Sequence, residues 1–294
     1  MTRTDYPSYF VTGATGQLGR QVIAALLERV PAGAVVAGAR DIEGESARSL
    51  RSLGVAVRRA DYADPTSLDA AFQGIQRLLL ISSSEIGRRV AQHRNVIDSA
   101  GRTGVGLIAY TSVLHADTSG LALAEEHRQT ERLLADTGVP FVVLRNGWYT
   151  ENYAAGIAPA LAHGAVLGCA GDGRIASAAR VDYAAAAAAV LTAEGQGGRI
   201  YELAGDESYT LTEFAAAIAA AAGRPVAYRD LPQAEYRAAL VAAGIPSDFA
   251  ALLADSDAAA ARGALDDDTR QLSALIGRPT TPYRSTVHDA VARL

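Results

Sequence analysis

The chain has 294 residues, enough for one large α/β domain or a nucleotide-binding domain with a smaller lobe. Hydrophobic residues make up 49% and charged residues 20%, the ordinary balance of a globular protein with a sizeable core. A net charge of −5 provides no basic field to gather nucleic acid or an anionic membrane, so neither is expected as a partner.

Met1 to Tyr9 is polar and runs straight into a strand, which argues against a signal peptide. Tyr9–Thr12 reads as that strand, and Gln17–Arg29 as a helix burying Val22, Ile23, Leu26 and Leu27. Val35–Ala39 and Val55–Ala60 are the second and third strands. Asp64 and Pro65 supply an N-cap and a preset first turn for a helix through Phe72. Leu78–Ser82, Leu107–Thr111 and Phe141–Leu144 are further apolar strands, separated by helices near Arg88–Thr103 and Leu121–Thr137. Strict alternation predicts parallel βαβ units with right-handed crossovers, a Rossmann-like doubly wound sheet.

Beyond about residue 150 the alternation weakens. The single cysteine, Cys169, rules out an intrachain disulfide and a Zn–Cys cluster and suits a reducing, cytoplasmic setting. Gly171-Asp172-Gly173 suggests a turn, and Asp182 is placed to cap an Ala-rich helix through Val190. Arg199–Leu203 is a late strand, and Thr210 with Glu213 forms a capping box for a helix to Ala222 that Gly223 stops. The rest is short helices separated by Gly and Pro. The apolar runs Ala184–Ala193 and Phe214–Ala222 fall well short of the roughly 18 residues a bilayer span needs. The expected organisation is a dinucleotide-binding domain over 1–150. A smaller α/β lobe over 151–294 follows, with some of its segments returning to the sheet.

Gly13-Ala14-Thr15-Gly16-Gln17-Leu18-Gly19 lies between the first strand and the first helix. Gly13 suits the tight turn, Gly16 lets backbone approach a pyrophosphate, and Gly19 lets helix pack on strand, with the helix N-terminus offering free N–H groups to the anion. At the end of the second strand Arg40 takes the place where an acidic residue would select NAD, and a guanidinium there suits a 2′-phosphate. The cofactor expected is NADPH, with NADH as a weaker alternative because Asp41 follows. Asp61 and Tyr62 end the third strand, on the adenine side.

Three loops leave the carboxyl edge of the sheet, where ligands bind in this architecture: Ser82-Ser83-Ser84-Glu85, Thr111–His115, and Asn146-Gly147-Trp148-Tyr149-Thr150-Glu151-Asn152. A short-chain dehydrogenase would carry Tyr-x-x-x-Lys on the helix that follows the second of them. Here His127 and Glu131 stand at those places, so the standard acid is missing. Ketone reduction leaves an alkoxide with a conjugate-acid pKa near 16, as for bulk water. Quinone reduction leaves an aryl oxide near the tyrosine value of about 10. A general acid is therefore least needed for a quinone-like acceptor. Trp148 and Tyr149 are candidates for a flat wall against such a ring. His115, His127 and Tyr149 are the candidate catalytic side chains, none of them decisive. No ligand spacing among the five histidines points to a metal.

Together the segments Gly13–Gly19, Leu80–Glu85, Ala109–Ser112, Leu144–Asn152, Ala170–Gly173 and Tyr201–Gly205 resemble the NmrA-like group of atypical short-chain dehydrogenases/reductases. Within that group they are most similar to the NAD(P)H:quinone oxidoreductase type 2 proteins. The resemblance implies NADPH along the glycine loop, Arg40 and Ser82–Glu85, with the nicotinamide near Asn146–Asn152 and a small lobe over an acceptor cleft. Because the group also contains redox sensors, a non-catalytic dinucleotide sensor acting through a protein partner is the competing expectation. A reductase of another conjugated carbonyl is a third. A homo-oligomer is compatible with all of them.

Overall fold

In the computed structural model, which describes residues 6–294, the strands are β1 (Tyr9–Val11), β2 (Val35–Ala39), β3 (Ala56–Arg59), β4 (Arg77–Leu80), β5 (Leu107–Val113), β6 (Phe141–Asn146), β7 (Ala165–Gly168), β8 (Ile200–Leu203) and β9 (Ala227–Asp230). Among the described residues, seven of them form one sheet in the order β3-β2-β1-β4-β5-β6-β8. The pairings of β1 with β2 and β4, of β2 with β3, and of β4 with β5 are parallel. The N–H groups of Val143 and Gly147 reach the carbonyls of Arg199 and Leu203, so β6 and β8 also run the same way. The expected doubly wound α/β fold with flanking helices is borne out.

The first compact unit comprises residues up to Val113 with Glu126–Arg145 and Tyr183–Tyr201. Its core gathers the inward side chains of β1, β4, β5 and β6, with Phe10 and Phe72 meeting edge to face at 5.0 Å. The helix Pro65–Ala71 starts as expected, the Asp64 carboxylate accepting from the Ser67 N–H. Arg77, at the buried start of β4, donates to the carbonyls of Leu191 (2.7 Å) and Ala193 (2.6 Å) and pairs with Glu194. A buried guanidinium is tolerated there because it takes up carbonyls that the helix Arg180–Thr192 leaves open at its end. β4 ends at Leu80, two residues before the expected Ser82. The N–H groups of Ile81 and Ser82 turn to the hydroxyls of Thr12 and Thr111 instead of continuing the ladder.

The second unit comprises Leu114–Glu125, Asn146–Asp182 and Glu202–Leu294. The capping box is present, with Thr210 and Glu213 satisfying each other's N–H, and Gly223 ends that helix in the left-handed conformation. The parallel pair β7–β9 is absent from the sequence reading, because Ala-Val-Leu-Gly and Ala-Tyr-Arg-Asp are short and largely unburied. Asp182 does not cap a helix. It lies in the first turn of Arg180–Thr192, fully buried, and accepts from the Thr281 N–H at 2.7 Å and from Arg278 at 2.7 Å.

Candidate functional site

In the first unit the chain between β1 and the helix Gln17–Leu27 lines a groove of about 320 Å³. Gly13 has φ +55°, the left-handed region where a side chain would be strained. At Gly19 a Cβ would lie 2.3 Å from the Gly13 carbonyl oxygen and 2.7 Å from the Ala14 Cα, so any larger residue pushes the loop off the helix. Gly16 is the N-cap and has no side chain to satisfy the first turn, and that turn carries no acidic residue. Its N–H groups and the dipole are therefore free to take an anion. The fit to a pyrophosphate is good.

Thr15, Gln17, Leu18, Arg40, Asp61, Tyr62 and the loop Ser82–Glu85 line the same groove. Ala14 is fully buried, its N–H bonded to the Gly38 carbonyl, and it supports the loop from beneath. The Arg40 side chain is 74% exposed and meets Glu85 at 3.3 Å. Asp41 turns away, its carboxylate accepting from the N–H groups of Glu43 (2.9 Å) and Gly44 (3.0 Å). A carboxylate held in that turn is not presented to a ribose. The Tyr62 hydroxyl bonds to Thr12 and to the Ile81 carbonyl, and burial holds its pKa well above the usual phenol value.

The Ser82–Glu85 loop is held by groups that sequence reading missed. His93, on the helix Arg89–Thr103, is fully buried and accepts the Ser83 N–H at Nε2, 2.9 Å away. Its Nδ1 therefore carries the proton and donates to Thr130, which donates in turn to the Glu126 carbonyl. Burial, helped by Arg89, pushes the His93 pKa down to about 3, so the ring is neutral. Arg89 takes the Ser83 carbonyl at 2.7 Å, and Gln92 holds Glu85 at 2.9 Å. Nothing in the local sequence announces His93, since its partners lie 10 and 37 residues away.

The places of the missing Tyr-x-x-x-Lys are filled by a closed cluster. His127 is 3% exposed and bonds through Nδ1 to the Tyr110 hydroxyl at 2.7 Å. Burial holds its pKa well below the free value. Burial that disfavours the imidazolium and a place 3% exposed in the core both argue against His127 as a proton donor. Glu131 accepts from Ser112 at 2.6 Å and is paired by Arg145 through two contacts, at 3.1 and 2.8 Å. This buried pair occupies the polar positions that other chemistry would use.

In the second unit Asn146–Asn152 leaves β6 and leads into the helix Thr150–Ala154. Trp148 is only 8% exposed, so the aromatic wall expected of Trp148 and Tyr149 together reduces to Tyr149. One face of the Tyr149 ring is covered by the Arg180 guanidinium at 4.7 Å. The Tyr149 pKa is raised, first by burial, with the hydrogen bond from Asn146 opposing. The Gly147 N–H is bonded to the Leu203 carbonyl, Thr150 to Ser177, and Glu151 accepts the Arg180 N–H. The Asn152 N–H returns to the Tyr149 carbonyl. Asn146 keeps its Oδ1 buried without a hydrogen-bond partner, an acceptor open to an incoming donor. His115 sits at φ +52°, between Glu202 (3.7 Å) and Asp267 (3.6 Å), where it ties strand end to loop within this unit. Among the described residues no group of three His, Cys, Asp or Glu could hold a metal ion, and no helix is long and apolar enough to cross a membrane.

The family model for the NmrA-like family matches residues 9–272. The chain belongs to the NmrA-like family. This NmrA-like protein is 53% identical to Quinone oxidoreductase 2 of Escherichia coli K12 over 277 residues, which cover 94% of this chain and 96% of that protein. Its fold matches the crystal structure of the NADPH-dependent quinone oxidoreductase of E. coli complexed with NADPH, with a TM-score of 0.93 and 52% identity, covering 96% of this chain and 99% of that one. It also matches the triphenylmethane reductase of Citrobacter sp. complexed with NADP(H), with a TM-score of 0.92 and 37% identity, covering 96% and 100%.

Proposed function

We propose that this NmrA-like protein is an NADPH-dependent reductase that passes hydride to quinones, reducing them by two electrons to hydroquinones. The observation that carries the reading is the first unit's groove, with its uncapped helix N-terminus at Gly16 and the guanidinium of Arg40, in a chain 53% identical to a quinone oxidoreductase. When bound, NADPH supplies the hydride. The chain's own part is to bind the dinucleotide, orient the acceptor and exclude water.

We assign the pyrophosphate to Gly13–Leu18, the 2′-phosphate to Arg40, and the acceptor ring to the Asn146–Asn152 segment, with Tyr149 as its aromatic residue. Reduction of a quinone leaves an oxide basic only to about 10, so water can supply the remaining proton. That agrees with a neutral, sealed His127. The sensor reading is not favoured, because the relatives at 53% and 37% identity are named as a quinone oxidoreductase and a triphenylmethane reductase. The second unit serves as acceptor lobe, and the protein works in the cytoplasm.

The test is consumption of NADPH with a panel of quinones, hydroquinone being identified as product. Turnover with NADPH exceeding that with NADH is expected. Tight NADPH binding without turnover of any quinone would overturn the reading in favour of a dinucleotide-binding sensor.

A further inference from the structure

We infer that Glu85 sets the cofactor selectivity of the groove, acting as a fixed negative charge that competes with the 2′-phosphate for Arg40. The inference rests on the assignment of Arg40 proposed above and adds to it a residue with the opposite effect. Glu85 Oε1 lies 3.3 Å from an Arg40 Nη, and the two side chains are 37% and 74% exposed. Its other oxygen accepts from Gln92 at 2.9 Å and faces Arg88 at 3.5 Å. The Glu85 N–H bonds to the Ser83 hydroxyl, which itself bonds to Gln92.

These contacts decide the sign of the effect. Arg40 meets Glu85 through one nitrogen, not as a two-pronged fork, and most of its surface is in water. Glu85 therefore orients Arg40 only weakly. The carboxylate itself is anchored, by Gln92 and by a loop whose Ser83 is gripped at both backbone groups by His93 and Arg89. It cannot swing away when a phosphate approaches the same guanidinium. Arg88 offsets part of its charge, but that side chain is 78% exposed and screened. The remaining repulsion falls on the 2′-phosphate, which NADPH has and NADH lacks. Glu85 thus weakens the hold on phosphorylated dinucleotide in both redox states and favours exchange of the spent cofactor.

The test is equilibrium titration of the full chain with NADPH and with NADH, followed by cofactor fluorescence, for the parent and for Glu85→Gln. Glutamine keeps the shape and one acceptor oxygen, enough for the bond from Gln92, and removes the charge that faces Arg40. The expected result is a three- to tenfold tighter NADPH, roughly what one screened charge several ångström from a phosphate is worth. NADH should change less than about twofold, and the gain should shrink as salt is added. Glu85→Ser, which removes charge and contacts together, should move NADPH the same way. Weaker NADPH binding in Glu85→Gln would make the residue a positioning partner of Arg40 and overturn the inference, as would equal shifts for both cofactors. Failure of the parent to bind either dinucleotide would overturn the cofactor assignment itself.

Discussion

The loop Ser82–Glu85 and the cluster Ser112–Glu131–Arg145 are both polar, both in the first unit, and both at the carboxyl edge of its sheet. The loop's backbone is satisfied from behind by buried His93 and Arg89, while its outer groups face the groove. In the cluster every charge is matched inside: Glu131 takes Ser112 and Arg145, and the Arg145 and Glu131 side chains are 7% and 14% exposed. Polar residue types alone do not make a site. What separates the two is whether the hydrogen-bonding capacity is spent within the protein or turned outward.

Breaking the closed cluster should have the largest effect, and on stability instead of chemistry. Glu131→Leu takes from buried Arg145 the carboxylate that meets it through two contacts and should cost about 3–5 kcal/mol in denaturant unfolding. The fraction that remains folded should still reduce quinone at near-parental rates. A specific loss of turnover in a well-folded variant would mean that the cluster belongs to the site.

Acid should separate the two clusters next. His93 and His127 both have folded-state pKa values below the free histidine value, His93 at about 3. Between those limits the unfolded chain binds protons that the folded chain refuses. Stability present above about pH 6.5 is therefore lost as pH falls toward 3. His93→Gln, which can still accept the Ser83 N–H, should flatten that slope in urea titrations. A profile unchanged by the substitution would show that His93 is not a source of it.

On the open side, Arg40→Ala should weaken NADPH by about 1.5–3 kcal/mol, the range for hydrogen bonds to charged groups. NADH should change little, and equal losses in titration would show that Arg40 serves the loop alone. His127→Ala should keep kcat within about tenfold of the parent, below the effect of removing a true general acid. A thousandfold drop in a folded, NADPH-binding variant would restore His127 as the donor. The smallest effect is expected at Tyr149, already half covered by Arg180. Tyr149→Leu should raise the quinone KM only severalfold, an aromatic contact being worth about 0.5–1.5 kcal/mol. Loss of NADPH affinity at constant KM would move Tyr149 to the cofactor.

What the sequence revealed follows the range of the interactions. Gly13–Gly19 was legible because turn, cap and helix contact are encoded within seven residues, and Thr210 with Glu213 because a capping box spans four. Asp182 was misread because its partners Arg278 and Thr281 lie far along the chain, and a local rule supplied the nearer explanation. Trp148 was a candidate for the acceptor wall because it follows Gly147 in a loop at the sheet edge, yet tertiary packing leaves it only 8% exposed. His93 was overlooked for the same reason. Its role exists only once a helix is laid against a loop.

Arg77 carries a consequence for how the protein is made. Its guanidinium waits for Leu191, Ala193 and Glu194, which are synthesised more than a hundred residues later. A nascent chain that has emerged only to about residue 150 holds most of the strands but must bury, or keep in water, a charge whose acceptors are still inside the ribosome. The amino-terminal unit should therefore close late in translation, and a fragment ending near residue 150 should be retained by chaperones more than the full chain.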